Sequence, residues 1–543
     1  MNSFEIKGNI VDIINEKNFP GRVFVTNGRI ESIVRDDSAE GPLIMPGLID
    51  SHVHIESSML APSEFAREAV RHGTVATVSD PHEIANVLGR RGLEFMIENG
   101  KKVPFKFYFG APSCVPATGF ESSGAEITPD DIEELLSNDD ILYLSEMMNF
   151  PGVLNEFPDV IKKIEIAKKH GKPVDGHAPG LTGDDAKKYI SAGISTDHEA
   201  FTLNEAIDKI SLGMKILIRE GSAAKNFNAL HKLIEARPDM VMLCSDDKHP
   251  DDLIRGHINL LVKRALDMDY SLFKLLRAAV RNPIEHYGLD TGMLREGDPA
   301  DMIVVDDLKN FNILKTYISG ELVAENGKSL IEPVELTPVN IFNASKKEPR
   351  DFAVEAKGSR IKVIKAIDGE LITESEERDA KIIGKTVMPD PDNDILKIAV
   401  INRYNDSPPA IGFIRGFGIR KGALASSVAH DSHNIIAVGC SDTELCEAVN
   451  AVIESSGGLS LHDGLKTFTL PLPIAGLMAA GSAEKVAGLY SELSAKAKNL
   501  GCGLKAPYMT LSFMALLVIP SLKLSDKGLF DGNKFEFTEL QPD

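Results

Sequence analysis

The sequence predicts an α/β protein with three parts: a (β/α)8 TIM-like barrel at 47–289, a small β-sandwich domain composed of 1–46 and 290–340, and a C-terminal α+β domain over 341–543. Three observations predict it. Eight short apolar runs alternate with longer helical patterns between 47 and 289. Reactive side chains sit at the C-terminal ends of nearly all of these runs. Strand-like segments of one texture stand on both sides of the block. Strand–helix alternation implies parallel pairing through crossover helices, and eight repeats is the number that closes a barrel.

At the N-terminus, FEIKGNIVDII and RVFVTNGRIESIV alternate apolar and polar residues and are broken by Pro-Gly and Asn-Gly turn signals. The same texture returns at 292–328 in GMLREGDPADMIVVDD and TYISGELVAENGK. Two such pieces flanking one long block predict a single small domain built from both, with the block inserted between them.

The runs of the block are 43–54, 74–80, 105–112, 141–147, 173–177, 194–198, 215–220 and 241–247. His52 and His54 close the first, and Asp80, His82 and Glu83 follow the second. Glu146 ends the fourth, His177 the fifth, His198 the sixth, Arg219 and Glu220 the seventh, and Asp246 and Asp247 the eighth. Barrel enzymes carry their catalytic groups at that face. Past 340, strand-like stretches (361–367, 396–401, 434–438) mix with helical ones (441–453, 482–498). The most apolar stretch, 511–520, falls short of the roughly 20 residues that span a bilayer, so it is expected as a buried element of the last domain.

A formal net charge of −21 argues against a nucleic-acid binder, which needs a basic face to displace counterions from phosphates. It favours a small-molecule substrate. The five cysteines, Cys114, Cys244, Cys440, Cys446 and Cys502, include no C-x-x-C pair. That disfavours a disulfide framework and a zinc knuckle, and it sets aside the zinc site of the cytidine-deaminase type. MNSFEIKGNI carries no basic-then-apolar leader. A cytoplasmic protein with no membrane partner is expected.

His52 and His54 are two apart, so on a strand they point to the same face and can hold one ion side by side. His177 and His198 close consecutive runs at the same end. Four imidazoles with carboxylates suit a borderline metal such as zinc, iron or manganese. Glu146 is placed to be a bridging ligand or a solvated strand end. An aspartate on the last strand, near activated water, is placed to take the water's proton and pass it to a leaving group. Alternation lets only one of Asp246 and Asp247 face inward, and Asp246 is the favoured one.

Further segments extend the pattern: PGLIDSHVHIESSM (46–59), VSDPHEIANVLG (78–89), GAPSCVPAT (110–118), LSEMMNFPGV (144–153), DGHAPGL (175–181), SDDKHPDDL (245–253), AHDSHNIIAVG (429–439) and GLKAPYMTLSFM (503–514). Together they resemble the amidohydrolase superfamily and, through HIESSM, SDPHEIANV and the last domain, the adenine deaminase family within it. The resemblance implies a two-metal centre supplied with manganese or iron(II). His52, His54 and Asp246 would bind one ion, His177 and His198 the other, and Glu146 would bridge them where many relatives use a carboxylated lysine. It implies hydrolysis of free adenine to hypoxanthine and ammonia, with Asp246 moving the proton, and a homo-oligomer. From its position, Glu83 is the candidate donor or hydrogen-bond partner for a purine ring nitrogen. Glu56, Asp80, His82, Asp247, His430 and His433 are the remaining candidates for substrate-binding or supporting roles. For the His430–His433 motif a second ion site, a lid and a structural turn all stay open. The rival activity is another cyclic amide or amidine hydrolase of the superfamily, dihydroorotase- or hydantoinase-like. Outside catalysis, the alternative is a binding protein on a barrel that has lost its metal.

Overall fold

Gly47 divides the first apolar run. A Cβ at this position would lie 2.3 Å from a Val75 methyl, so only glycine lets the backbone pass this close. The run 43–54 is expected as one strand; in the structure, a computed structural model describing residues 3–542, it is two. Leu43–Pro46 pairs with Ser3–Asp12 and Met302–Val305, and Leu48–Val53 starts a separate parallel array.

That array has eight strands: β1 (Leu48–Val53), β2 (Thr74–Ser79), β3 (Lys106–Ala111), β4 (Ile141–Met147), β5 (Val174–Gly176), β6 (Thr196–Asp197), β7 (Lys215–Arg219) and β8 (Val241–Cys244). The first five pair in order in one parallel sheet and the last three in another. Between β5 and β6 the chains stay in contact, with Ser195 N donating to Val174 O at 2.9 Å. Past the last strand, Asp246 N donates to His52 O at 2.9 Å, and Val53 and Asp246 form a parallel bridge. The result is a curled parallel sheet whose last strand returns to its first. Helices such as Pro62–Ala69, Pro158–Lys169 and Ile258–Leu266 fill the crossovers. Most of the strands are buried on both faces, which is why they read as near-continuous apolar runs.

The strands at 3–46 and 302–329 join in one continuous eight-stranded sheet, so both flanks of the block contribute to it. The expected sandwich takes the form of a single sheet that curls over a shared core of Ile10, Val23, Val25, Ile44, Met302 and Val304. Phe4 stacks on Tyr317 across the curl, 5.5 Å apart.

The third region carries a second eight-stranded sheet, from Arg360–Ala366 to Thr467–Pro471, with helices Asp442–Glu454 and Ala483–Asn499. The apolar stretch 511–520 is the end of a helix (Pro507–Ser512), a 3-10 turn and an irregular tail, mostly buried. This region is laid over the C-terminal ends of the parallel strands. Tyr490 Oη lies 2.6 Å from His249 Nδ1, Ala479 N donates to Met59 O at 2.9 Å, and Asn434 Nδ2 donates to Ser122 O at 2.8 Å. Among the described residues no helix is long and apolar enough to cross a membrane.

A buried polar network ties β1 to the chain after β8. Asp50 accepts from Ser245 N at 3.0 Å, from Ser245 Oγ and from His52 N at 3.3 Å, and His257 Nε2 lies 2.7 Å from it. His257 Nδ1 in turn lies 2.8 Å from Thr74 Oγ1. Asp50 and His257 are fully buried, so removing the carboxylate strands its polar partners without water. Asp50→Ala is expected to lower stability by about 3 kcal/mol, read as a lower guanidinium midpoint. An unchanged midpoint would show that the network does not hold the two strands together.

Candidate metal centre

The ends of β1, β4, β5, β6 and β8 bring six side chains to one place. His52 lies on β1 and His54 one residue past it, with their Nε2 atoms 3.2 Å apart. The His54 Nδ1 proton points to the Asp80 carbonyl at 3.1 Å, which leaves the Nε2 lone pair facing inward. Asp246 Oδ1 is 3.2 Å from His54 Nε2 and 3.6 Å from His52 Nε2. Glu146 faces both ways: Oε1 is 3.5 Å from His54 Nε2, while Oε2 is 2.8 Å from His177 Nδ1 and 3.1 Å from His198 Nε2. This is the position that a carboxylate shared by two ions would take.

Burial alone would raise the Glu146 carboxyl, but the imidazoles of His177 and His198 outweigh it and hold the group well below the ordinary range. Asp246 is likewise buried, and Arg219 with His52 and His54 keeps it well below its usual value. His198 Nε2 is buried and, although 3.1 Å from Glu146 Oε2, makes no aligned hydrogen bond there, while His52 Nε2 faces His54 Nε2 and Asp246. Imidazoles with free lone pairs around charged carboxylates are the donor set of a borderline divalent ion, so these residues fit a metal pair.

Asp246 faces inward, but for a different reason than strand alternation. The strand ends at Cys244, and Asp246 adopts a left-handed backbone (φ 55°) that turns it onto His52 and His54. Asp247 accepts from Ser57 Oγ at 2.5 Å and lines the same cavity. Two groups escaped the sequence reading as members of the site. Arg219 was noted only as a strand end, yet it donates to Asp246 Oδ2 and makes a two-pronged pair with Glu199 at 2.5 and 2.7 Å. Glu199 follows His198 directly, and an acid beside a strand-end histidine was the available signal. Glu220, at the same strand end, turns away to pair with Arg264 at 3.2 Å.

Around the centre, Asp80 accepts from Ser145 Oγ at 2.7 Å and meets His82 Nδ1 at 3.1 Å, and the His82 ring lies 4.6 Å from the His54 ring. Glu56 does not line the cavity. It accepts from Ile84 N at 3.1 Å, and burial with the nearby Glu83 charge pushes its carboxyl up to about 7.

The motif left open above reaches the site. Residues 430–432 form a turn between Ala423–Ser426 and Ile435–Gly439, so helical spacing does not bring the histidines together. They meet by straddling Glu83: His430 Nδ1 is 2.6 Å from Oε1, and His433 Nε2 contacts Oε2. Leu371, Phe513, Leu516, Val518 and Ile519 line the same cavity as an apolar wall beside the histidines and carboxylates. The buried stretch 511–520 is therefore part of the cavity, which its lack of reactive residues concealed.

The amidohydrolase family model matches residues 43–323, and the adenine deaminase C-terminal domain model matches 370–536. The adenine deaminase of Methanosarcina mazei is 55% identical, with 99% of each chain covered. The chain belongs to the adenine deaminase family. The relative from Salinibacter ruber is also 55% identical with 99% of each chain covered, and that from Borreliella burgdorferi is 51% identical over 99% of this chain and 100% of its own. The C-terminal domain of the adenine deaminase family is thus the part that carries His430, His433 and the apolar wall.

Two outcomes are expected. Glu146→Gln removes the central charge of the cluster and should lower the number of metal ions bound per chain, counted by elemental analysis, below that of the wild-type protein; an undiminished count would remove Glu146 from the centre. Glu121, next to the 430–432 turn, has its carboxyl raised to about 8 by burial and by Asp431. Between about 4.5 and 8 the folded chain therefore keeps a proton that the unfolded chain releases, and stability falls as pH rises through that window. Glu121→Gln should be the more stable protein at pH 8 by a few kcal/mol on the order-of-magnitude scale of such linkage, with the gap closing toward pH 5. Parallel denaturation midpoints at both pH values would refute this.

Proposed function

We propose that the protein hydrolyses the exocyclic C–N bond of free adenine, releasing hypoxanthine and ammonia. The observation that carries this reading is 55% identity to an adenine deaminase over 99% of both chains. The cluster of His52, His54, Glu146, His177, His198 and Asp246 supports it by supplying a site fit for the chemistry. In this reading the eight parallel strands form a closed (β/α)8 barrel at 47–289, the curled sheet from both flanks is a composite domain, and 341–543 is a third.

His52, His54 and Asp246 would hold one ion, His177 and His198 the other, with Glu146 between them; manganese is the proposed occupant, with iron(II) or zinc as substitutes. When bound, the ions lower the pKa of water at the centre so that hydroxide forms near neutral pH. Asp246 takes the water's proton and returns it to the departing amine. Arg219 holds Asp246 Oδ2, which fixes the carboxylate's orientation during that transfer. The apolar wall of Phe513, Leu516, Val518 and Ile519 fits a flat base and keeps bulk water out. The protein is proposed to act in the cytoplasm, in purine salvage, as a homo-oligomer.

Ammonia release from adenine, by protein reconstituted with manganese, iron(II) or zinc, tests the reading. Activity is expected with at least one metal, and Asp246→Asn should cut kcat on the order of a thousandfold. No ammonia with any metal would overturn the proposal, and ring opening of dihydroorotate instead would move the protein to another branch of the superfamily.

A further inference from the structure

Attack on C6 of adenine drives an electron pair onto the neighbouring ring nitrogen, which must gain a proton. Glu83 is badly placed to give one. Burial alone would raise its carboxyl, but His430, His433 and His82 hold it well below the ordinary range, so it is an acceptor, with Oε1 paired to His430 and Oε2 against His433.

The state of each histidine follows from its second nitrogen. Ala429 N donates to His433 Nδ1 at 3.2 Å, so the proton of His433 sits on Nε2 and points at Glu83. The same contact argues against a metal in this cluster, because an ion on Nε2 would need an imidazole with lone pairs on both nitrogens. His430 differs. Its Nδ1 is 2.6 Å from Glu83 Oε1, its ring lines the cavity, and its Nε2 has no hydrogen-bond partner among the described residues. Burial pulls the His430 pKa down, but Glu83 carries it up to about 9, so both ring nitrogens hold protons at neutral pH. Phe513 stacks on the ring at 4.7 Å and 15°, which fixes its plane.

We propose that His430, contributed by the third region, gives the proton to the purine ring nitrogen through Nε2, and that Glu83 and His433 are positioning residues. Glu83 orients His430, and His433 holds Glu83. The step balances. The water oxygen bonds to C6, the C6–N1 π pair moves to N1, N1 takes the Nε2 proton and Asp246 takes one water proton. On collapse the amine leaves with the Asp246 proton as ammonia, the C6–O double bond forms, and the hydroxyl proton returns to His430.

This inference rests on the adenine reading, and a double-mutant cycle separates the two. His430→Asn and His430→Gln should each lower kcat by about 10²-fold or more, with KM within a few-fold and metal content equal to wild type. Glu83→Gln should lower kcat in the wild-type background and cost nothing further in the His430→Asn background, because it acts through His430. His433→Asn should lower kcat less than either, again without loss of metal. A purely structural role would move KM, metal content and stability together. Equal losses for Glu83→Gln in both backgrounds would make Glu83 the donor and overturn the proposal, as would full turnover in both His430 variants. A third ion per wild-type chain that is lost in His433→Asn would overturn it in favour of a metal site. If the wild-type protein releases no ammonia from adenine, the adenine reading itself falls, and this assignment with it.

Discussion

One buried carboxylate sets the terms for the rest of the molecule. Glu146 is 2% exposed, and a charge there is tolerated only when it is fully surrounded by partners. Its partners include His82 from the helix after β2 and side chains from the ends of three other strands: His54 from β1, His177 from β5 and His198 from β6. The parallel strands must therefore end at one level and curl enough to bring their tips within a few ångströms. A straight sheet would leave β1 and β6 too far apart to share one carboxylate.

The same constraint propagates outward. Asp246 needs its own counter-charge, and Arg219 supplies it while also pairing with Glu199, so a chain of alternating charges runs along one side of the centre. On the other side His82 lies between Asp80 and Glu146, at 3.1 and 3.2 Å. Each charged group is satisfied by the next, and the network ends where it meets apolar packing. Such a network fixes orientation as much as it stabilises, because a member that moves strands its neighbour.

The third region is not an appendage. Glu83 stands at the start of a helix that follows β2, and without His430 and His433 its buried carboxylate would keep only the more distant His82, at 3.5 Å, as a partner of opposite charge. Fastening the second eight-stranded sheet over the strand ends solves that problem and supplies the apolar wall at once. The cavity thus has a polar floor from one region and a mixed ceiling from another.

Much of this was legible in the sequence because local pattern carries it. Apolar runs of strand length mark β1 to β8, and a reactive residue at a strand's C-terminal end is visible wherever the strand is, so His52, His54, Glu146, His177 and His198 could be named from order alone. Asp246 was named for the wrong reason: its inward turn depends on a left-handed backbone just past the strand, which alternation does not describe. The ion pairs of Arg219 with Asp246 and Glu199, and the pairing of Glu83 with His430 and His433, are beyond the sequence. Glu83 and His430 are 347 residues apart, and no periodicity links them. Chain order specifies which faces are apolar and where strands stop, because those depend on neighbours along the chain. Which buried charges meet depends on how three regions pack, and only the tertiary structure decides that.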